Sequence, residues 1–156
     1  MRRPEREIKD PVTVKALLDQ TPVGRIATIN RKGYPVIKPL NYIYQDGKIY
    51  FHSSKKGEKI NDIRRGSPVC FEVDQSITYV STSGPACKAS YYYRSILIKG
   101  RAEFVRSGKK KLEILERLME KYQPEGGYSG VAEEILRKTA VIEVSIDEIT
   151  GKENLG

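Results

Sequence analysis

Between Gly24 and His52 the sequence alternates apolar and polar residues with period two, broken only by turn-forming residues. That pattern commits this stretch to antiparallel strands joined by hairpins. Arg25-Ile26-Ala27-Thr28-Ile29 reads as a strand and Asn30-Arg31-Lys32-Gly33 as its hairpin turn, with Pro35 to Tyr44 as the returning strand. Pro39 has no N–H to give to a ladder, so the returning strand is expected to lie at an edge, carry a bulge, or expose backbone to a ligand there. Gln45-Asp46-Gly47 makes the next tight turn on an Asp-Gly pair, and Lys48 to His52 is the third strand.

The same criteria give a fourth strand at Val69–Val73, a long fifth one at Tyr91–Val105 with a bend or bulge at Gly100, and a sixth at Ala140–Ile146. Helical spacing marks the intervals. Val14, Leu17 and Leu18 share one face of a helix that Thr13 is expected to cap and that a turn at Thr21-Pro22 ends. Ile60 and Ile63 share one side of a helix over Gly57–Arg65, with Ser53 or Ser54 as its expected cap. Leu112, Leu115, Leu118 and Met119 define an amphipathic helix from Lys109 to Tyr122, broken by Gln123-Pro124-Glu125-Gly126-Gly127 and followed by a helical turn around Val131–Arg137. Six strands joined mostly by hairpins, with a few flanking helices, predict a mainly β, closed or nearly closed antiparallel barrel. A length of 156 residues suits one domain, 1–156.

Composition narrows the class further. Charged residues make up 31% and hydrophobic ones 38%, as in a globular protein with a heavily charged surface. No apolar run approaches the roughly 18 residues that span a bilayer, and the basic start Met1-Arg2-Arg3-Pro4-Glu5-Arg6 leads into charge instead of an apolar stretch. The expected location is therefore the cytoplasm, without a membrane partner. The net charge of +8 suits nucleic acid, an anionic surface or phosphorylated small molecules, and part of it lies in Lys55-Lys56 and Lys109-Lys110-Lys111. Cys70 and Cys87 lack ligand spacing, so neither a metal site nor a disulfide is expected.

One histidine and no G-x-S-x-G, Walker, HExxH or G-x-G-x-x-G motif leave side-chain catalysis without its usual groups. A bound cofactor would supply the reactivity. The segment Phe51-His52-Ser53-Ser54-Lys55-Lys56-Gly57-Glu58-Lys59 has the parts of a phosphate cradle: hydroxyls, a glycine, and three lysines where a helix begins. A capped surface helix with solvated lysines has the same composition. A histidine at a strand end, as His52 is, is more often packed or hydrogen-bonded than catalytic.

Several motifs, taken in order, carry a resemblance: Met1-Arg2-Arg3 with Arg6-Glu7-Ile8, Gly24-Arg25-Ile26-Ala27, Pro35-Val36 with Pro39-Leu40-Asn41-Tyr42, Ile49-Tyr50-Phe51-His52-Ser53 with Gly57-Glu58-Lys59, Val69-Cys70-Phe71-Glu72, Tyr93-Arg94-Ser95-Ile96 with Gly100, and Ile149-Thr150-Gly151-Lys152. Together they resemble the nitroimidazole-resistance branch of the pyridoxamine 5′-phosphate oxidase-related flavoproteins, over nearly the whole chain. The resemblance implies a six-stranded split β-barrel whose homodimer builds two FMN sites at the shared interface. It implies that Lys38, Pro39, Leu40 and Asn41 run along the flavin, that His52 and Ser53 flank the ring and ribityl chain, and that Lys59, with Gly57 and Glu58, holds the phosphate. Tyr93 and Ser95 would reach the cofactor from the long strand, and His52 matches the histidine implicated near the family's reactive centre. Tyr91 and Tyr93 share one strand face and Tyr92 and Arg94 the other, and either pair could be ordinary sheet packing.

The C-terminus departs from pyridoxamine 5′-phosphate oxidase itself. Gly151-Lys152-Glu153-Asn154-Leu155-Gly156 lacks the basic and aromatic residues that bind the vitamin substrate in that enzyme, so that substrate is not expected. The expected activity is electron transfer from NAD(P)H through FMN to a small acceptor, with nitroaromatics as one class. The alternative is storage or delivery of flavin or haem without turnover, and a deazaflavin in place of FMN is a further option. A basic barrel using Tyr91-Tyr92-Tyr93-Arg94 to stack nucleic acid is the competing reading from another class, and no nucleic-acid partner is expected.

Overall fold

A computed structural model of the chain describes residues 3–156. Met1 and Arg2 of the first resemblance motif lie outside the described residues. A two-residue strand, β1 (Glu7–Ile8), precedes helix α1 (Pro11–Gln20). The cap of α1 is Asp10, not Thr13: its carboxylate accepts from the backbone N–H of Val12 at 3.1 Å and of Thr13 at 3.0 Å, and from the Thr13 hydroxyl at 2.6 Å. Pro11 explains the shift. Proline is preorganised for the first helical position and holds the residue before it in extended geometry, which is the conformation a cap requires.

The sheet consists of β2 (Gly24–Ile29), β3 (Pro35–Leu40), β4 (Tyr42–Gln45), β5 (Lys48–Ser54), β6 (Pro68–Val80), β7 (Ser90–Phe104) and β8 (Thr139–Asn154), in the order β3-β2-β6-β7-β8-β5-β4, with β1 added on β8. Every pairing is antiparallel. The helices are α2 (Glu58–Arg64), α3 (Gly108–Tyr122) and α4 (Glu133–Lys138). β3 and β4 occupy opposite ends of the strand order, yet only Asn41 separates them in sequence. The sheet must therefore curl until its two edges meet, which is the geometry of a split barrel.

Eight strands stand where six were expected. β1 is one addition, and the predicted strand Pro35–Tyr44 supplies the other by dividing at Asn41, because its first half pairs with β2 and its second with β5. β6 runs on past Asp74-Gln75-Ser76 to Val80 and β8 past Asp147-Glu148 to Asn154, both beyond the predicted ends at Val73 and Ile146. Pairing with β7 holds those extensions. The α2 cap is also corrected: Gly57, at φ 120°, occupies the cap position with no side-chain bond to the helix. Ser53 is still a β5 residue, paired with Ala140, and Ser54 accepts from Lys56 N–H in the turn instead.

Alternation on β4 and β5 fills two cores. Tyr42, Ile49 and Phe51 point into the barrel with Ile26, Phe71 and Ile142, while Ile43 and Tyr50 point outward beneath Ile114, Leu115 and Leu118 of α3. Ile60 and Ile63 seat α2 on the barrel, and buried Asp62 fixes it to β2 through the Thr28 hydroxyl at 2.8 Å. Arg65 donates to the other Asp62 oxygen at 2.6 Å, so the buried charge is paired and hydrogen-bonded.

Gly100 sits at a β-bulge, where the register of β7 on β8 shifts between Lys99 and Gly100. A Cβ there would lie 1.9 Å from the Ser145 carbonyl oxygen. Gly100→Ala is therefore expected to cost about 1–3 kcal/mol in urea unfolding, whereas Gly108→Ala, whose Cβ would meet open space at the start of α3, leaves stability unchanged or raises it by up to about 1 kcal/mol. Equal stability of the wild type and Gly100→Ala would contradict the tight crossing.

Candidate functional site

The phosphate-cradle segment forms one side of a groove of 320 Å³, lined by Lys38, Pro39, Ser53, Lys56, Gly57, Glu58, Lys59 and Ile60. Folding thus joins the edge strand β3 to the β5–α2 connection, two regions that are well apart in sequence. Gly57 permits this turn, because its φ of 120° is a conformation L side chains rarely adopt. Anchored by Ile60 and Asp62, α2 then directs Lys59 back toward the barrel.

The charges are only partly balanced. Lys59 lies over the Phe51 ring, 4.9 Å from its centroid, and its ammonium is pushed below the ordinary lysine range first by burial and then by the Lys38 ammonium. Glu58 is the nearby counter-charge, 3.9 Å from Lys38 Nζ, with its other oxygen accepting from Asn30 Nδ2 at 3.3 Å. Two ammonium groups that raise each other's energy in a half-desolvated groove gain from any anion placed between them. α2 has only seven residues, so the anion preference rests on these lysines and not on a long helix dipole.

The remaining predicted site residues are placed as follows. Leu40 buries its side chain in the core, so only its backbone is available, and Asn41 is exposed at the division between β3 and β4. His52 does not line the groove: alternation turns it to the opposite face of β5 from Ser53. Its ring is exposed and makes no side-chain hydrogen bond among the described residues. Its pKa is lowered, first by the desolvating surroundings and then by the Lys59 ammonium, which holds the imidazole neutral.

Tyr93 and Ser95 lie apart from the groove within the chain. His52 pairs with Val141 of β8 and Ser95 with Lys152, eleven residues further along that strand. That is roughly 36 Å of strand at about 3.3 Å per residue. β2 and β6 separate Ser95 from Pro39 on the other side. Within the tyrosine run, Tyr91 packs across the strands against Tyr79 with centroids 5.6 Å apart, and Arg94 pairs with Glu153 at 3.0 Å. Lys56 and Ile60 complete the groove and were absent from the expected site; Lys56 was visible in the lysine-rich segment, whereas Ile60 reads as core.

The sequence profile of the family described as Pyridoxamine 5′-phosphate oxidase matches residues 10–153. The chain belongs to this family. No curated protein matches it by sequence. Among solved structures it is similar to a flavocytochrome from Azotobacter vinelandii, at 25% identity and a TM-score of 0.88 over 100% of this chain and 72% of that one. A protein from Bacteroides thetaiotaomicron named for 5-nitroimidazole antibiotic resistance aligns at 24% identity and a TM-score of 0.83, covering 94% and 86%. An FAD and haem binding protein from Mycobacterium smegmatis aligns at 20% identity and 0.87, covering 97% and 74%. These likenesses establish the split-barrel fold. No helix among the described residues is long and apolar enough to cross a membrane.

His52 is the single histidine of the chain, so its proton NMR titration needs no assignment. The midpoint is expected below the ordinary 6.5, and Lys59→Met, which removes the neighbouring cation, is expected to raise it. A midpoint at or above 6.5, indifferent to Lys59→Met, would contradict the electrostatic coupling.

Proposed function

We propose that the chain is a flavoprotein that binds FMN non-covalently, its phosphate between Lys38 and Lys59, and passes electrons from NAD(P)H to a small acceptor. The observation that carries this reading is the groove itself, where two lysines from distant segments converge with one carboxylate to offset them. Family membership and the likeness to a flavocytochrome support it.

The residues present fit the group. Lys59 and Lys38 supply charge-assisted hydrogen bonds for a phosphate, and Ser53 supplies a hydroxyl beside them. β3 pairs with β2 alone, so the backbone groups on its other side are free to meet the polar edge of a planar ring, and Pro39 removes one N–H from that edge. Bound FMN would supply the redox chemistry that the side chains lack. His52, held neutral, can accept a proton or donate one hydrogen bond near such a ring without adding a cation.

A homodimer belongs to the same reading. Tyr93 and Ser95 lie too far from the groove to serve it in one protomer, so their role requires a second subunit. The outer face carrying Ser95 also exposes Ile37 and Leu97, and Tyr79 and Tyr91 are exposed on the β6–β7 extension. Apolar surface of this kind is usual for an interface. The second reading, storage of flavin or haem without turnover, is favoured by His52 alone, since an exposed neutral imidazole is also a metal-ligand donor. Reduction of bound flavin by NADH or NADPH across a panel of acceptors separates the two.

The purified protein is expected to be yellow, to release FMN on heating, and to elute as a dimer. Lys59→Ala is expected to weaken FMN by about 1.5–3 kcal/mol through loss of a largely desolvated charged contact. Isothermal titration with FMN checks this, and an unchanged affinity would move the phosphate elsewhere.

A further inference from the structure

Beside the lysine groove lies a second, larger one of 620 Å³, with Arg31 and Lys32 of the β2–β3 turn on one side and Asn61 and Arg65 on the other. Gly57 and Glu58 line both grooves, so the two meet there. Asn30 holds the turn in place. Its carboxamide oxygen accepts from the backbone N–H of Lys32 and of Tyr34, each at 3.0 Å, and its nitrogen donates to Glu58 at the start of α2 at 3.3 Å. Arg31 and Lys32 therefore stand at fixed backbone positions beside α2.

Most other groups of this groove are engaged. Arg65 is paired with buried Asp62, which also accepts from Thr28. Glu58 lies between Asn30 and Lys38, and the Asn61 carboxamide oxygen accepts from Arg64 at 3.3 Å. What remains is charge of one sign, because Arg31 and Lys32 are exposed and form no ion pair among the described residues. Two adjacent cations on an anchored turn, one of them a guanidinium fork, suit a phosphate monoester, which carries about −1.5 to −2 charges near neutral pH. Of the two nicotinamide donors, only the phosphorylated one carries such a monoester, on its adenosine ribose. Selection of the other relies on a carboxylate that meets the ribose hydroxyl. Both carboxylates of this groove, Glu58 and Asp62, already have partners.

Building on the flavin reading above, we propose that the hydride donor is NADPH in preference to NADH, its 2′-phosphate held by Arg31 and Lys32. In that reading the flavin follows β3 from Lys38 toward Asn41, and the β2–β3 turn lies beyond its phosphate end. A donor whose nicotinamide lies on the flavin runs back past Gly57, where even an added Cβ would meet open space, and brings its adenosine end to the turn. The distinction is one of affinity, since hydride passes from nicotinamide to flavin with either donor.

The test loads the full chain with FMN and titrates it with adenosine 2′,5′-bisphosphate and separately with 5′-AMP, for the wild type and for Arg31→Ala/Lys32→Ala. Both residues are exposed in a turn outside the lysine groove, so the variant keeps its fold and holds FMN within about twofold of the wild type. The expected result is a wild type that prefers the bisphosphate by about tenfold or more, and a variant that has lost this preference. Wild type that binds FMN but does not distinguish the two nucleotides overturns the proposal and leaves the flavin reading standing. A preference that survives in the variant, or a variant that loses FMN as well, does the same. Wild type that binds no FMN overturns both, whatever its nucleotide preference.

Discussion

Everything near the site depends on one geometric constraint, the meeting of the sheet's two edges at Asn41. Because β3 and β4 are consecutive in sequence but terminal in the strand order, the chain can satisfy both pairings only by closing the barrel. Closure leaves one side of β3 unpaired and brings that side against the β5–α2 connection. The groove follows from this, since Lys38 and Pro39 arrive from the β3 edge and Ser53, Gly57 and Lys59 from the end of β5 and the start of α2. Buried Asp62, bonded to Thr28 and Arg65, then fixes how far α2 stands from β2 and hence where Lys59 and Glu58 project.

Electrostatics gives the groove its preference. Burial and Lys38 both act against the Lys59 ammonium, and Lys59 in turn acts against protonation of His52. A phosphate would relieve the first conflict and weaken the second. The site is thus tense without an anion and relaxed with one, while the structural charges elsewhere, such as Arg25 with Glu72 and Asp74, are already paired.

Much of this was legible in the sequence. Period-two alternation located every major strand, Asp46-Gly47 located a hairpin, and Pro39 announced an edge. The helix over 58–64 was visible from Ile60 and Ile63. What stayed hidden was held by partners remote in sequence: β6 continues beyond Val73 through polar Asp74-Gln75-Ser76 and β8 beyond Ile146 through Asp147-Glu148, and both extensions become strands through β7. The α1 cap was missed because Thr13 and Asp10 are both good capping residues, and the decision rested with Pro11. The phosphate-cradle lysines were apparent locally, but that Lys38 faces them is a product of closure, and no local pattern could show it. Tyr93 and Ser95 entered through resemblance alone, and the fold of the single chain does not bring them to the groove.

A crystal structure of the chain grown with excess FMN tests the central claim most directly. The flavin phosphate is expected within about 3 Å of the Lys59 ammonium, beside Lys38 and Ser53, with the ring lying along the free edge of β3. Flavin bound at another surface, with this groove open to solvent, would contradict it.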